Sequence, residues 1–157
     1  MKNIIPSLWF SDKNCEEALN YYVSIFPNSE VTSIEYYPDE SLNEHFKGMV
    51  GKVINAEFIL NGQKFIGLDG GPYFRFNEAI SFTIACEDQE EIDYYWSKLS
   101  HVPESEQCGW VKDAYGLSWQ IIPSHLNELQ QTDAQIQALM NMKKIIIGDL
   151  EAAGLEK

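Results

Sequence analysis

Apolar residues follow two different periods along this chain. From Ile4 to Phe10 they are nearly continuous, which suits a short strand largely covered on both faces. Ser11 and Asp12 follow, both able to cap a helix. Beyond them Cys15, Ala18, Leu19, Tyr22, Val23 and Phe26 recur at helical spacing until Pro27-Asn28 ends the run. The pattern predicts strand, turn, amphipathic helix and stop.

The same order returns at AISFTIAC, a strand, followed by Glu87-Asp88 as a cap region and QEEIDYYWSKL as a helix with Ile92, Tyr95, Trp96 and Leu99 on one side. The identities agree as well. Glu17, Leu19, Tyr21, Tyr22 and Ser24 meet Glu90, Ile92, Tyr94, Tyr95 and Ser97 at a constant offset of 73, and Ser7 meets Ser81 with one more residue of slip. Strand-like segments follow each helix: VTSIEYY, GKVINAEFIL and QKFIGLDGG in the first half, CGWVKD and LSWQIIP more compactly in the second. Asn61-Gly62 and Tyr115-Gly116 mark hairpin turns, the first by residues that tolerate the positive φ of a type I′ turn.

A polar excursion runs from Pro38 to Gly48, and Gly70-Gly71-Pro72 with Asn77-Glu78 connects the halves. After Pro123, apolar positions Ile136, Leu139, Met140, Ile146, Ile147 and Leu150 predict a C-terminal helix, packed on the body or on a partner subunit. The expectation is one α+β domain over 1–157, with a first module at about 3–71, a second at about 78–123 and a C-terminal helix at about 132–153.

Composition narrows the function. The 157 residues, 45% hydrophobic and 13% aromatic, suffice for a sizeable core. Eleven basic against 24 acidic residues leave a formal charge of −13, which repels nucleic acid and anionic lipid. The opening MKNIIPSLWF lacks the long apolar run of a secretory signal, and no stretch approaches a membrane span, so a cytoplasmic location is expected. Cys15, Cys86 and Cys108 are widely spaced with no CxxC pair, which argues against a disulfide framework or a thiolate zinc site.

A repeated βαβββ unit resembles the vicinal oxygen chelate superfamily of glyoxalase I, bleomycin-resistance proteins and extradiol dioxygenases. More closely, LWF-x4-CEEALNYY, GKVINAEFILNGQKF, GG-P-Y-F-x-FNEAISF, DQEEIDYYW, CGWVKD-x-YGLSWQIIP and the MKKI run followed by LEAA resemble the PhnB-like family, whose domain is also named 3-demethylubiquinone-9 3-methyltransferase. The resemblance implies two modules forming an open mixed barrel around a central inter-module pocket, a homodimer, and a small-molecule ligand.

It also implies metal-binding positions on the first and last strand of each module, which fall here near Pro6, near Gly67 to Asp69, at Ser81 and at Gln120. Only Gln120 and Asp69 among these could coordinate a cation, so the ligand set is incomplete and no metal is expected. Residues sharing that strand face would line the pocket: Leu8 and Phe10, Ser81 and Thr83, and Ser118, Gln120 and Ile122. Their mixed apolar and hydroxyl character suits a small aromatic or partly polar ligand. Trp9, Trp96 and Trp119 are then expected to pack towards the helices, and Trp110 to sit at a pocket rim or subunit contact. Asp69, Gln120, Glu57 and His45 are the acid-base candidates; Glu57 is expected to face water, since an unpaired buried carboxylate is costly.

Three functional classes follow: a binding protein without the usual metal, a metal-dependent isomerase, dioxygenase or transferase of the superfamily, and a methyltransferase. The last usually needs a glycine-rich strand-to-helix turn for its cofactor. Gly67, Gly70 and Gly71 precede Pro72 instead of a helix, so no cofactor is expected.

Overall fold

The computed structural model describes residues 2–156. It divides into two compact units, one ending at Arg75 and the other beginning at Phe76. The first carries β1 (Ser7–Phe10), α1 (Cys15–Ile25), β2 (Glu30–Tyr36), β3 (Val53–Leu60) and β4 (Gln63–Asp69). Its sheet runs β1-β4-β3-β2, with β1 and β4 parallel and the other pairs antiparallel. Asn61 and Gly62 close the β3–β4 hairpin at φ 47° and 83°, the left-handed pair that the Asn-Gly signal predicts.

Leu8 and Phe10 of β1, Ala56, Phe58 and Leu60 of β3, and Phe65, Gly67 and Asp69 of β4 are buried on one face of this sheet. That face packs on α1, whose Cys15, Ala18, Leu19, Tyr22 and Ile25 are buried. The packing is close: a Cβ on Gly67 would lie 3.1 Å from the Cys15 sulfur and 3.3 Å from Leu19. Trp9, Glu57, Ile66 and Leu68 point the other way, by the alternation of the strand. Strand β2 ends the sheet, and its Glu30, Ser33 and Glu35 are exposed, as suits an edge.

The second unit carries β5 (Ser81–Cys86), α2 (Gln89–Leu99), β6 (Trp110–Lys112) and β7 (Ser118–Pro123), ordered β5-β7-β6. It is therefore βαββ: a short 3-10 turn at 103–105 stands where the first unit has its additional strand. The carboxylate of Asp88 accepts from the Glu91 amide at 2.9 Å and caps α2, as its position predicts. Cys86, Trp119 and Ile121 are buried on the face with Ile92, Tyr95 and Leu99. The β6–β7 turn is organised by buried Asp113, which accepts from the Tyr115 and Leu117 amides and from Trp119 Nε1 at 2.8, 3.0 and 2.9 Å.

The predicted C-terminal helix is two: α3 (Asp133–Met140) and α4 (Ile147–Gly154). Residues between them leave helical geometry because their backbone is used elsewhere. The carbonyls of Met142 and Lys143 accept from the Cys108 and Gly109 amides, both at 2.8 Å, and Ile145 is fully buried. Buried Gln135 ties the helices, accepting from the Gln131 and Thr132 amides and donating to the Leu150 carbonyl at 3.1 Å. Leu139, Met142 and Ile147 pack into this unit's own cluster around Leu129, Ile145 and Leu150. Among the described residues no helix is long and apolar enough to cross a membrane.

Burial has a chemical consequence for the thiols. It pushes the Cys86 thiol up to about 12, with Glu91 and Asp88 adding to the effect, and raises Cys15 as well. In a thiol titration at pH 8 the native protein is expected to expose at most one fast-reacting group, half-buried Cys108, and the denatured protein all three. A second fast thiol would show a helix-sheet core open in solution.

Candidate functional site

The side of the first sheet turned away from α1 carries a built aromatic site. Trp9 and Leu68 lie side by side in the parallel register of β1 and β4. The indole Nε1 of Trp9 donates to the Gly71 carbonyl at 2.9 Å, and Phe74 meets the ring edge-on, centroids 4.9 Å apart at 74°. Gly70 explains how the ring fits. A Cβ there would lie 2.0 to 2.3 Å from indole atoms, so only glycine lets Trp9 rest on the chain. The connector is tied back further along, where Arg75 reaches Ser11 and Asp12 at 3.3 and 3.4 Å.

The opposite wall comes from Tyr37 and the polar excursion. Tyr37 donates its hydroxyl to the Asp69 carbonyl at 2.7 Å and meets Phe46 edge-on at 5.3 Å. Burial and the nearby Asp69 charge raise its phenol. Backbone bonds between Tyr37 and Lys52, and between Gly51 and Tyr37, close the excursion at its base, and Asp39 and Asn43 cap its two 3-10 turns. Between the walls lies an open cleft of about 1100 Å³, lined by Trp9, Tyr37, His45, Met49, Leu68 and Phe74, with Lys13, Lys47 and Glu44 as its charged residues. Small-molecule sites are typically of about 300–1,000 Å³ and mostly apolar with a few polar groups.

The residues expected to line a pocket separate by module. In the first, Leu8 and Phe10, 5% and 1% exposed, are core residues against α1, and Trp9, expected there, lies in the cleft. The faces are reversed because Ser7, not Pro6, is the counterpart of Ser81, as their shared slip in the repeat indicates. In the second, Ser81, Thr83, Ser118, Gln120 and Ile122 do share one face by register. Gln120 donates to the Ser81 hydroxyl at 2.9 Å and Thr83 is exposed. Ser118 is 1% exposed, and Ile122 packs against the Leu129 cluster instead of an open surface. Trp110 stands opposite Gln120 across the β6–β7 ladder.

Of the acid-base candidates, only His45 lines the cleft. Asp69 is 1% exposed, its two oxygens taken by the amides of Cys15 and Val53, each at 2.9 Å. It replaces a cap that Asn14 does not supply, since the Asn14 side chain makes no such bond. Glu57 faces outward on the sheet and pairs with Lys64 at 3.2 Å. Sequence patterning missed Tyr37, Phe74, Lys13 and Lys47, which come from a turn, the connector and the excursion, where periodicity carries no signal.

Neither group implied by the resemblance fits these residues. With Ser7 matching Ser81, Trp9 matches Thr83 and the first-module counterpart of Gln120 is Leu68, which has no donor atom, while Gln120 itself donates its amide N–H to the Ser81 hydroxyl. Among the described residues no three His, Cys, Asp or Glu side chains are grouped to hold a metal ion. The Gly70-Gly71 pair is covered by the Trp9 indole and leads into no helix, unlike a nucleotide-binding turn.

The sequence model of the 3-demethylubiquinone-9 3-methyltransferase family matches residues 2–122, which ends ahead of α3. A PhnB protein from Bacillus cereus is 38% identical, over 77% of this chain and 99% of that one, with a TM-score of 0.62. A protein from Pseudomonas aeruginosa shares the fold at 16% identity, covering 78% and 98% of the two chains with a TM-score of 0.58. A glyoxylase/bleomycin resistance protein/dioxygenase domain from Frankia sp. EAN1pec is 13% identical over 78% and 93%, TM-score 0.46. No curated protein matches. From the family match and the Bacillus relative, the chain belongs to the PhnB-like 3-demethylubiquinone-9 3-methyltransferase family.

Proposed function

We propose that this chain is a small-molecule-binding protein whose ligand, a planar and largely apolar body, lies on Trp9 in the cleft of the first module. The observation that carries the reading is the fixed indole. Trp9 is held by a hydrogen bond, a glycine seat and an edge-on phenylalanine, yet lines an open cleft. A ring held in that way offers stacking area at little entropic cost. Tyr73 and Phe74, 73% and 64% exposed, extend the apolar surface at the rim. His45, and the Tyr37 hydroxyl as an acceptor, supply polar contacts that orient a ligand without a metal.

Calorimetric titration with 2-naphthylmethanol, a neutral planar probe, tests this. Wild-type protein is expected to bind it, and Trp9→Ala to bind about tenfold more weakly through loss of the stacking face. Trp96→Phe, a change in α2 of the other unit, is expected to leave binding unchanged. Equal affinity in wild type and Trp9→Ala, or no binding by wild type, would sink the reading.

A further inference from the structure

We infer that the cleft selects a planar ligand bearing an anionic head group, a carboxylate or a phosphate; this rests on the binding reading above and specifies its ligand class. The chain as a whole is strongly acidic, 24 carboxylates to 11 basic side chains, so a lining of average composition would be negative. The cleft lining is the reverse: Lys13 and Lys47 against Glu44, with His45 beside them as a further donor, while Glu16 and Glu17 border Lys13 on another side and Glu40 holds the Gly48 amide.

The two lysines are also uncommitted. Lys64, Arg75, Lys112 and Lys144 are each held by a carboxylate. Among the described residues neither Lys13 nor Lys47 forms an ion pair, so their charge is available to a ligand. Lys13 sits in the turn between β1 and α1 at φ 59°, a left-handed conformation that few lysines adopt. Its ammonium lies 3.7 Å from where a Gly48 side chain would begin, which places it over the excursion that carries Lys47. Aromatic faces beneath and ammonium groups at the rim together recognise a ring with a negative substituent, and would repel the matching cation.

The magnitude is modest because both lysines are exposed. Ion pairs of that kind contribute little individually, so the two together are expected to favour an anion by about fivefold at low salt, and less at physiological ionic strength. The test uses three probes of one shape, 2-naphthoate, 2-naphthylmethanol and 2-naphthylmethylammonium, titrated into wild type and into Lys13→Gln/Lys47→Gln. The expected order in wild type is acid, alcohol, ammonium. In the double variant the acid loses its advantage over the alcohol. An acid no tighter than the alcohol, or a preference for it that survives the double substitution, overturns the anionic assignment while leaving the cleft as a binding site. Failure of all three probes to bind overturns both.

Discussion

Replacing Asp69 by alanine is expected to destabilise the protein by about 3–6 kcal/mol, from two hydrogen bonds to a buried carboxylate at about 1.5–3 kcal/mol each. One carboxylate oxygen accepts from Cys15 at the start of α1 and the other from Val53 at the start of β3, so a single side chain joins the helix, the end of β4 and the returning excursion. Alanine leaves two buried amides without acceptors. Asparagine is informative because it keeps the shape with one acceptor, turning an NH₂ group towards the second amide. It is expected to retain less than half of the stabilisation. Denaturant unfolding of the three proteins checks this; a loss below 1 kcal/mol in Asp69→Ala would mean the carboxylate is free for other work, and the catalytic reading of this residue would return.

Gly70→Ala is expected to remove ligand binding while costing about 1–3 kcal/mol of stability, the usual range for forcing atoms into a packed region. The new methyl would start 2.0 Å from the Trp9 ring, so the indole must swing away, breaking its bond to Gly71 and its contact with Phe74. Gly148→Ala is the control. Nothing lies within 4 Å of a Cβ at that position in α4, so binding and stability should hold. Calorimetry with 2-naphthylmethanol and thermal unfolding on both variants separate the effects. Unimpaired binding by a folded Gly70→Ala protein would show that the position of the indole is irrelevant to the cleft.

Helices α1 and α2, the order of the strands around them and the β3–β4 turn were readable in the chain because each rests on local patterning: periods of apolar residues, Asp88 as a cap, Asn61-Gly62 as a turn. The facing of β1 was not. Leu8, Trp9 and Phe10 are all large and apolar, so alternation has nothing to alternate, and the register with β4 decides which of them meets α1. The one available signal was the extra residue of slip that aligns Ser7 with Ser81 and so Trp9 with Thr83. Asp69 read as an acid-base candidate because sequence shows its charge but not the two amides that occupy it. The break between α3 and α4 was invisible for a related reason. The helical spacing of Ile136 to Leu150 is real at each end, and what interrupts it is a pair of amides at Cys108 and Gly109, over thirty positions away.

The cleft was legible only in part. His45 was singled out, but the aromatic walls depend on a connector and an excursion whose paths follow from long-range bonds such as Arg75 to Ser11 and Tyr37 to the Asp69 carbonyl.

The most direct test of the proposed site is a titration of ¹⁵N-labelled protein with 2-naphthoate, following the indole Nε1–H signals of Trp9, Trp96, Trp110 and Trp119, each assigned by its Trp→Phe variant. A saturable shift centred on Trp9, with Trp96 and Trp119 unmoved, is the predicted result. Saturable binding that leaves Trp9 still would contradict the account and move the site elsewhere in the molecule.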